Sequence, residues 1–407
     1  MSAIDIISTD ILVASSVNVS GKLADSPFSI DWLLKALHAA DDKFNALIQN
    51  SKVENITAVD ISQGKGYVSK VYKVSIEFDN LEKPYEVILK VPGTESLNED
   101  PANQAGHEMV TDDFVATCHN RECHFYNDYA AHIDVPLPKV YKAVEMVVGK
   151  SAGALLMESL VGVQCGQTPR YHVQVLPVPP EGAVDREIPS KLVGLVPCDG
   201  DIYLHFFDET AEMAPGVFDE AMTTFREYFC SKPFYMYLMT DVYKDIGLPP
   251  VLTHGDLWSN NMMWKKNADG SISNEISAII DWQIIHEGCM TTDIARFMTF
   301  CLDGDVRREC EYDVLRYMYE RIVELMKEDG KSVDFTYEQM KKGYQANMIA
   351  QSVLMLMIPS FMFIGDQWTP EERPIKSAQR DKMLLRIQCA LEDALMYFKE
   401  IPKHRLS

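Results

Sequence analysis

Basic residues are scarce in this chain. Lys and Arg number 38 against 60 Asp and Glu over 407 residues, a formal net charge of −22. A surface that grips nucleic acid neutralises phosphates with Lys and Arg, so this balance argues against a nucleic-acid partner, and it disfavours docking on anionic lipid. The nine cysteines are odd in number and scattered without Cys-x-x-Cys spacing. That leaves neither a disulfide framework nor a zinc module, and it fits a reducing, cytoplasmic setting. The start of the chain has no basic region ahead of an apolar stretch, and Asp5 interrupts the first apolar residues, so no secretory leader is expected. The most apolar run, residues 348–364, holds Gln351, Ser352 and Pro359. We read it as a buried helix ending near Pro359 rather than a membrane span. A nucleophile elbow and a Gly-x-Gly-x-x-Gly dinucleotide fingerprint are also missing, which removes the hydrolase and dehydrogenase classes.

What is present suffices for one large core or for two lobes, since 47% of the residues are hydrophobic. Ser29 can cap a helix whose apolar positions are Trp32, Leu33, Leu37, Phe44, Leu47 and Ile48. The period then changes to that of strands, expected at 56–61, 71–78 and 85–91, with SQGKGYVSK between the first two. Gly64 and Gly66 would let backbone N–H groups approach phosphate oxygens, and Ser69 could add a hydroxyl donor. A helix over 112–132 and strands at 136–143 and 154–160 follow. The 165–215 stretch carries Pro177, Pro179 and Pro180, which forbid a helix there. It is either a local insertion of strands and loops or a departure from the ancestral chain. Helical spacing resumes over 218–243 and returns from Ile294, capped by Thr292 or Asp293, and over 310–326, 337–357 and 377–398.

The chemistry concentrates in residues 251–283, VLTHGDLWSNNMMWKKNADGSISNEISAIIDWQ. An apolar approach leads into the polar loop HGDLWSNN and a strand at 261–264. A turn at Asn267-Ala268-Asp269-Gly270, with the Asp-Gly pair supplying positive backbone angles, returns the chain through a strand at 276–280. Asp281 is thereby delivered back beside the loop. Asp256 suits a base that takes the proton from an attacking hydroxyl, while Asn261 and Asp281 offer the oxygen ligands magnesium prefers.

His254, Asp256 and Asn261 stand at the H-x-D-x-x-x-x-N spacing of kinase catalytic loops. The pair HGDLWSNN and IIDWQ resembles the aminoglycoside phosphotransferase, choline kinase and ecdysteroid kinase group, in its nematode-type CHK kinase-like branch. The resemblance covers roughly residues 55–365. It implies a bilobal, protein-kinase-like α+β fold, with a small β-rich N-lobe at 55–160 after a helical extension at 1–54. An α-rich C-lobe at 161–407 would carry the catalytic stretch 253–283. It implies ATP and magnesium as cofactors, with Asp256 and His254 catalytic and Asn261 and Asp281 on the metal. Lys90 in VILKVP resembles the lysine on the nucleotide phosphates. Glu122, in the E-x-x-F-Y pattern with Phe125 and Tyr126, resembles its helix partner, and Glu108 and Asp113 are substitutes. ESLVG looks like the hinge, where Glu158 and Leu160 would present backbone groups to adenine. The acceptor is expected to be a small molecule with a hydroxyl. Gly255 stands where protein kinases place an arginine, and no A-P-E motif follows Asp281. Trp258, Trp282, Trp368 and Asp366 could line a pocket for a quaternary ammonium or merely pack the loop. An inactive nucleotide-binding scaffold and a protein kinase are the rival readings.

Overall fold

Residues 1–131 with 136–163 form one unit of the chain, and residues 132–135 with 164–407 form a second. The computed structural model describes residues 5–6, 11–62, 68–94, 111–160, 164–165, 200–229, 232–363 and 368–406. Gly64, Gly66, Glu108, Asp366 and most of the proline-rich stretch lie outside them.

The first unit is built on a seven-stranded sheet in the order β1-β2-β3-β4-β5-β7-β6. Its strands are β1 (Asp5–Ile6), β2 (Leu12–Val13), β3 (Val53–Asp60), β4 (Ser69–Phe78), β5 (Tyr85–Pro92), β6 (Val140–Val144) and β7 (Ala154–Glu158). Every pairing is antiparallel except that of β2 with β3. In β4 the alternation anticipated from the sequence holds: Tyr72, Val74, Ile76 and Phe78 are buried and the residues between them are less so. These side chains share one core with Leu33, Leu37 and Phe44. Burying each such residue contributes about 1.5–3 kcal/mol. Residues from Ile11 to Val53 therefore contribute to the sheet's own core, where a separate helical extension over 1–54 was expected. They also contain two helices, Ile30–Ala40 and Asp42–Ile48. Ser29 caps the first through its side chain, and Asp41 ends it and caps the second.

The helix Asp112–His124 starts at the cap Thr111 and continues through a wider π turn, Phe125–Tyr129, into the 3₁₀ turn Ala130–His132. The expected single helix over 112–132 is thus one rod with changing pitch.

The second unit is rich in helices. The helix Gly200–Met213 lies inside the stretch expected to hold only strands and loops. The prolines at 177–180 forbid helix only where they stand, and the helix starts at Gly200, twenty residues after Pro180. Asp219–Phe229, Lys232–Met236 and Val242–Ile246 follow, the last two joined by the π turn Tyr237–Asp241. Long helices Gly304–Glu328, Tyr337–Leu354 and Arg373–Phe398 complete it. The apolar run expected to end near Pro359 breaks earlier. A 3₁₀ turn at Met355–Met357 leads into the helix Ile358–Phe363, with Pro359 in its first turn, where the missing N–H costs nothing. Among the described residues no helix is long and apolar enough to cross a membrane. The α+β architecture, a smaller β-rich first unit and a larger α-rich second one, is the one anticipated.

Candidate active site

Two short sheets of the second unit position the catalytic stretch. Strand β9 (Pro250–Thr253) pairs antiparallel with β12 (His286–Cys289) and delivers His254. Strand β10 (Met262–Lys266) lies between β11 (Ile272–Ile279) and β8 (Gln164–Cys165) and receives the chain after the loop. The turn between β10 and β11 closes with the Gly270 amide donating to Asn267 O at 2.9 Å. Only Gly270 takes a positive φ, +83°, so Asp269 does not share the left-handed conformation expected of the pair. Its carboxylate instead accepts from the Ser271 amide and hydroxyl.

Main-chain hydrogen bonds hold the loop from both sides. The His254 and Gly255 amides donate to the two oxygens of Asp293, each at 2.8 Å. The Asp256 amide donates to His254 Nδ1 at 3.2 Å, so the ring proton sits on Nε2, which donates to Ile280 O at 3.0 Å. His254 is buried, and both of its nitrogens are spent on backbone. Gly255 has φ +83°, and a Cβ there would lie 2.7 Å from Ile284 O, so glycine is required for conformation and for space.

Asp256 is fixed through both carboxylate oxygens. Arg296 donates to Oδ1 from Nη2 at 2.5 Å and from Nε at 3.1 Å. Asn261 Nδ2 donates to Oδ2 at 3.1 Å and to the Asp256 carbonyl at 2.9 Å. With its nitrogen so occupied, the Asn261 side chain has its carbonyl oxygen left for a hard cation. Asp281 follows Ile280, whose amide donates to Asn261 O at 3.0 Å and whose carbonyl accepts from His254. Asp281 itself adopts φ +68°, a strained conformation for a residue with a side chain. Ties on both faces of Ile280 hold it there. Among the described residues no three His, Cys, Asp or Glu side chains gather as a metal cage. One carboxylate, of Asp281, and one amide oxygen, of Asn261, would be enough for a magnesium–nucleotide complex, in which phosphates and water fill the remaining positions.

Arg296 was not anticipated. It lies on the helix Thr292–Cys301, capped at Thr291 and not at Thr292 or Asp293. Asp293, Arg296 and Phe300 recur at i, i+3 and i+7, one face of that helix, and this spacing was the available signal. The guanidinium lies 4.0 Å from the Phe300 ring centroid and donates from Nη1 to Gln351 Oε1 at 2.9 Å. Nearby, the Cys301 sulfur accepts from the Ser259 amide, and burial pushes its thiol up to about 11, so it stays protonated. Burial likewise pushes Tyr235, within the fields of Arg296 and Asp256, up to about 12.

In the first unit, Lys90 on β5 meets Glu122 on the helix Asp112–His124, Nζ to Oε2 at 2.7 Å. Glu122 is 2% exposed, and a carboxylate at that depth needs such a partner. Ser69 opens β4, buried, opposite Pro92. Glu158 ends β7 with its amide and its carboxylate both bonded to the Lys139 backbone, and Leu160 follows the strand. Trp282 is 2% exposed, donates to Ile279 O at 3.1 Å and packs on His254.

A family described as “Uncharacterized oxidoreductase dhs-27” matches residues 201–401. The Caenorhabditis elegans protein of that name is 26% identical over 358 residues, 81% of this chain and 42% of that one. The chain thus spans about two fifths of that relative's length. A second protein of the same organism, “Uncharacterized kinase-like protein D1044.1”, is 20% identical over 333 residues, 75% of this chain and 82% of its own. Among solved structures, the Plasmodium vivax ethanolamine kinase Pv091845 is similar at a TM-score of 0.37 and 13% identity, covering 91% of this chain and 89% of that one. The kinase-like relative agrees with the resemblance carried by HGDLWSNN and IIDWQ.

Proposed function

We propose that the chain is an ATP- and magnesium-dependent phosphotransferase that moves the γ-phosphoryl group to a hydroxyl of a small molecule, in a cytoplasmic setting. The observation that carries this reading is the loop itself. Asp256 is held by Arg296 and Asn261, and a strained Asp281 is returned beside it by a hairpin. Asp256 takes the acceptor's proton as the hydroxyl attacks. His254, whose ring is spent on backbone, is a positioning residue that ties the loop to Ile280. Asn261 and Asp281 would hold magnesium, which would offset the charge of the nucleotide phosphates. By the resemblance, Lys90, fixed by Glu122, would pair with the α- and β-phosphates, Gly64, Gly66 and Ser69 would offer donors to phosphate, and Glu158 and Leu160 would contact adenine.

The short path from Asp281 into β12 and the helix Thr292–Cys301 leaves no long segment on which a peptide could lie, which supports a metabolite acceptor over a protein. The word oxidoreductase in the names above has no counterpart in this sequence, which lacks a Gly-x-Gly-x-x-Gly fingerprint. Cys118, Cys123, Cys289, Cys301, Cys310 and Cys389 are free thiols, which supports a reducing compartment. Labelled ATP offered with a peptide library and with a metabolite extract tests the proposal. Transfer to a metabolite is expected, and sequence-selective peptide phosphorylation with no metabolite product would overturn it.

A further inference from the structure

A cation already occupies the flank of Asp256. Arg296 sets two N–H groups on Oδ1, a third on Gln351 and its flat face on Phe300. Gln351 is fully buried and is anchored in turn on Met239 Sδ at 3.5 Å. The guanidinium is thus held by the protein's own packing, before any substrate arrives. Aromatic groups around the loop are engaged as well. Trp282 is packed under the loop on His254, and Trp258 stands edge-on to Phe300 at 6.3 Å, while the Phe300 face belongs to Arg296. Recognition of an ammonium needs an open aromatic face and a carboxylate without a partner, and beside Asp256 the carboxylate and the Phe300 face are both already taken by Arg296.

We infer that the acceptor is an uncharged hydroxyl compound, of the sugar, polyol or alicyclic alcohol class, and that Arg296 is the residue that sets this preference; the inference rests on the phosphotransferase reading. An ammonium two carbons from the reacting hydroxyl would lie near Asp256 and Arg296 alike, so attraction and repulsion offset. Its lost hydration would then go uncompensated. An anionic acceptor would be drawn to Arg296 but would meet Asp256 and the nucleotide phosphates. A neutral hydroxyl incurs neither cost.

Matched pairs differing only in charge test this on the full chain with magnesium ATP: 3,3-dimethylbutanol against choline, glucose against glucosamine, and cyclohexanol against 2-aminocyclohexanol. Each compound is measured as an acceptor and, where it is not turned over, as an inhibitor of basal ATP hydrolysis. The neutral member of each pair is expected to win by about tenfold or more in kcat/KM or in inhibition constant. In Arg296→Gln that ratio should narrow, chiefly through a lower KM or inhibition constant for the cationic member, whereas Arg296→Lys should keep it. If Arg296→Gln does not fold, Gln351→Met, which frees the guanidinium on its far side, should narrow the ratio in the same direction. A preference for the cationic members, or an unchanged ratio in the folded variants, overturns the inference and leaves the phosphotransferase reading standing. No ATP consumption under any condition removes both.

Discussion

Arg307 and Arg296 both hold carboxylates in the second unit, at different depths and with different completeness. Arg307, on the helix Gly304–Glu328, is 1% exposed. It donates to Glu311 at 2.7 Å and to Asp393 on the helix Arg373–Phe398, while Tyr344 of the helix Tyr337–Leu354 donates to Glu311 at 2.8 Å. Arg308 closes the other side of Asp393 with two bonds of 3.0 Å. Three helices are thus joined through one buried cluster. The Arg296 pair is 13% and 18% exposed, sits on a loop tied by backbone bonds and borders a strained residue. The lesson is that an ion pair's role follows from what is left over. A buried cluster that joins three helices serves to hold those elements together, whereas a partly exposed carboxylate that takes two N–H groups on one oxygen and a single one on the other can still receive a proton.

The comparison breaks most visibly at Asp256. Asp256→Asn keeps the shape of the loop but removes the base, so turnover is expected to fall by about 10²–10⁴-fold. Calorimetry with magnesium ATP should show nucleotide affinity almost unchanged, and retained turnover would take the role from Asp256. Arg307→Met should do the reverse. Leaving Glu311 and Asp393 buried without their shared cation is expected to cost about 3–5 kcal/mol, read as a lower urea midpoint, while turnover per folded molecule stays at the parent level. A fall in turnover without loss of stability would erase the distinction between the clusters.

A smaller effect sharpens the contrast. Asp281→Asn removes one of very few charged ligands to a hard cation. Magnesium-dependent nucleotide affinity should drop by about 10–100-fold, the scale on which even outer partners of a metal act, and equal affinity in the two proteins would sink the metal assignment. The smallest change is Gly255→Ala. Its Cβ would press on Ile284 O while the backbone stays at φ +83°. A loss of about 1–3 kcal/mol is expected, seen as a lower unfolding midpoint together with reduced turnover, and a stable, fully active variant would show that the loop tolerates another path.

The sequence by itself determined what depends on local spacing. Alternation in β4 announced its buried face, Ser29 announced the first helix, and the ordered set His254, Asp256, Asn261 and Asp281 announced the loop and its hairpin. Those signals arise within a few residues of one another, where backbone period and turn chemistry decide the outcome. Only the tertiary structure decided the partners. Lys90 meets Glu122 across 32 residues, Asp293 takes the amides of His254 and Gly255, and Arg296 reaches back 40 residues to Asp256. Nothing in the string DIARF says that its aspartate serves another element instead of capping its own helix. The choice follows from which buried N–H groups would otherwise lack an acceptor once β9 and that helix pack, and such a debt exists only in three dimensions.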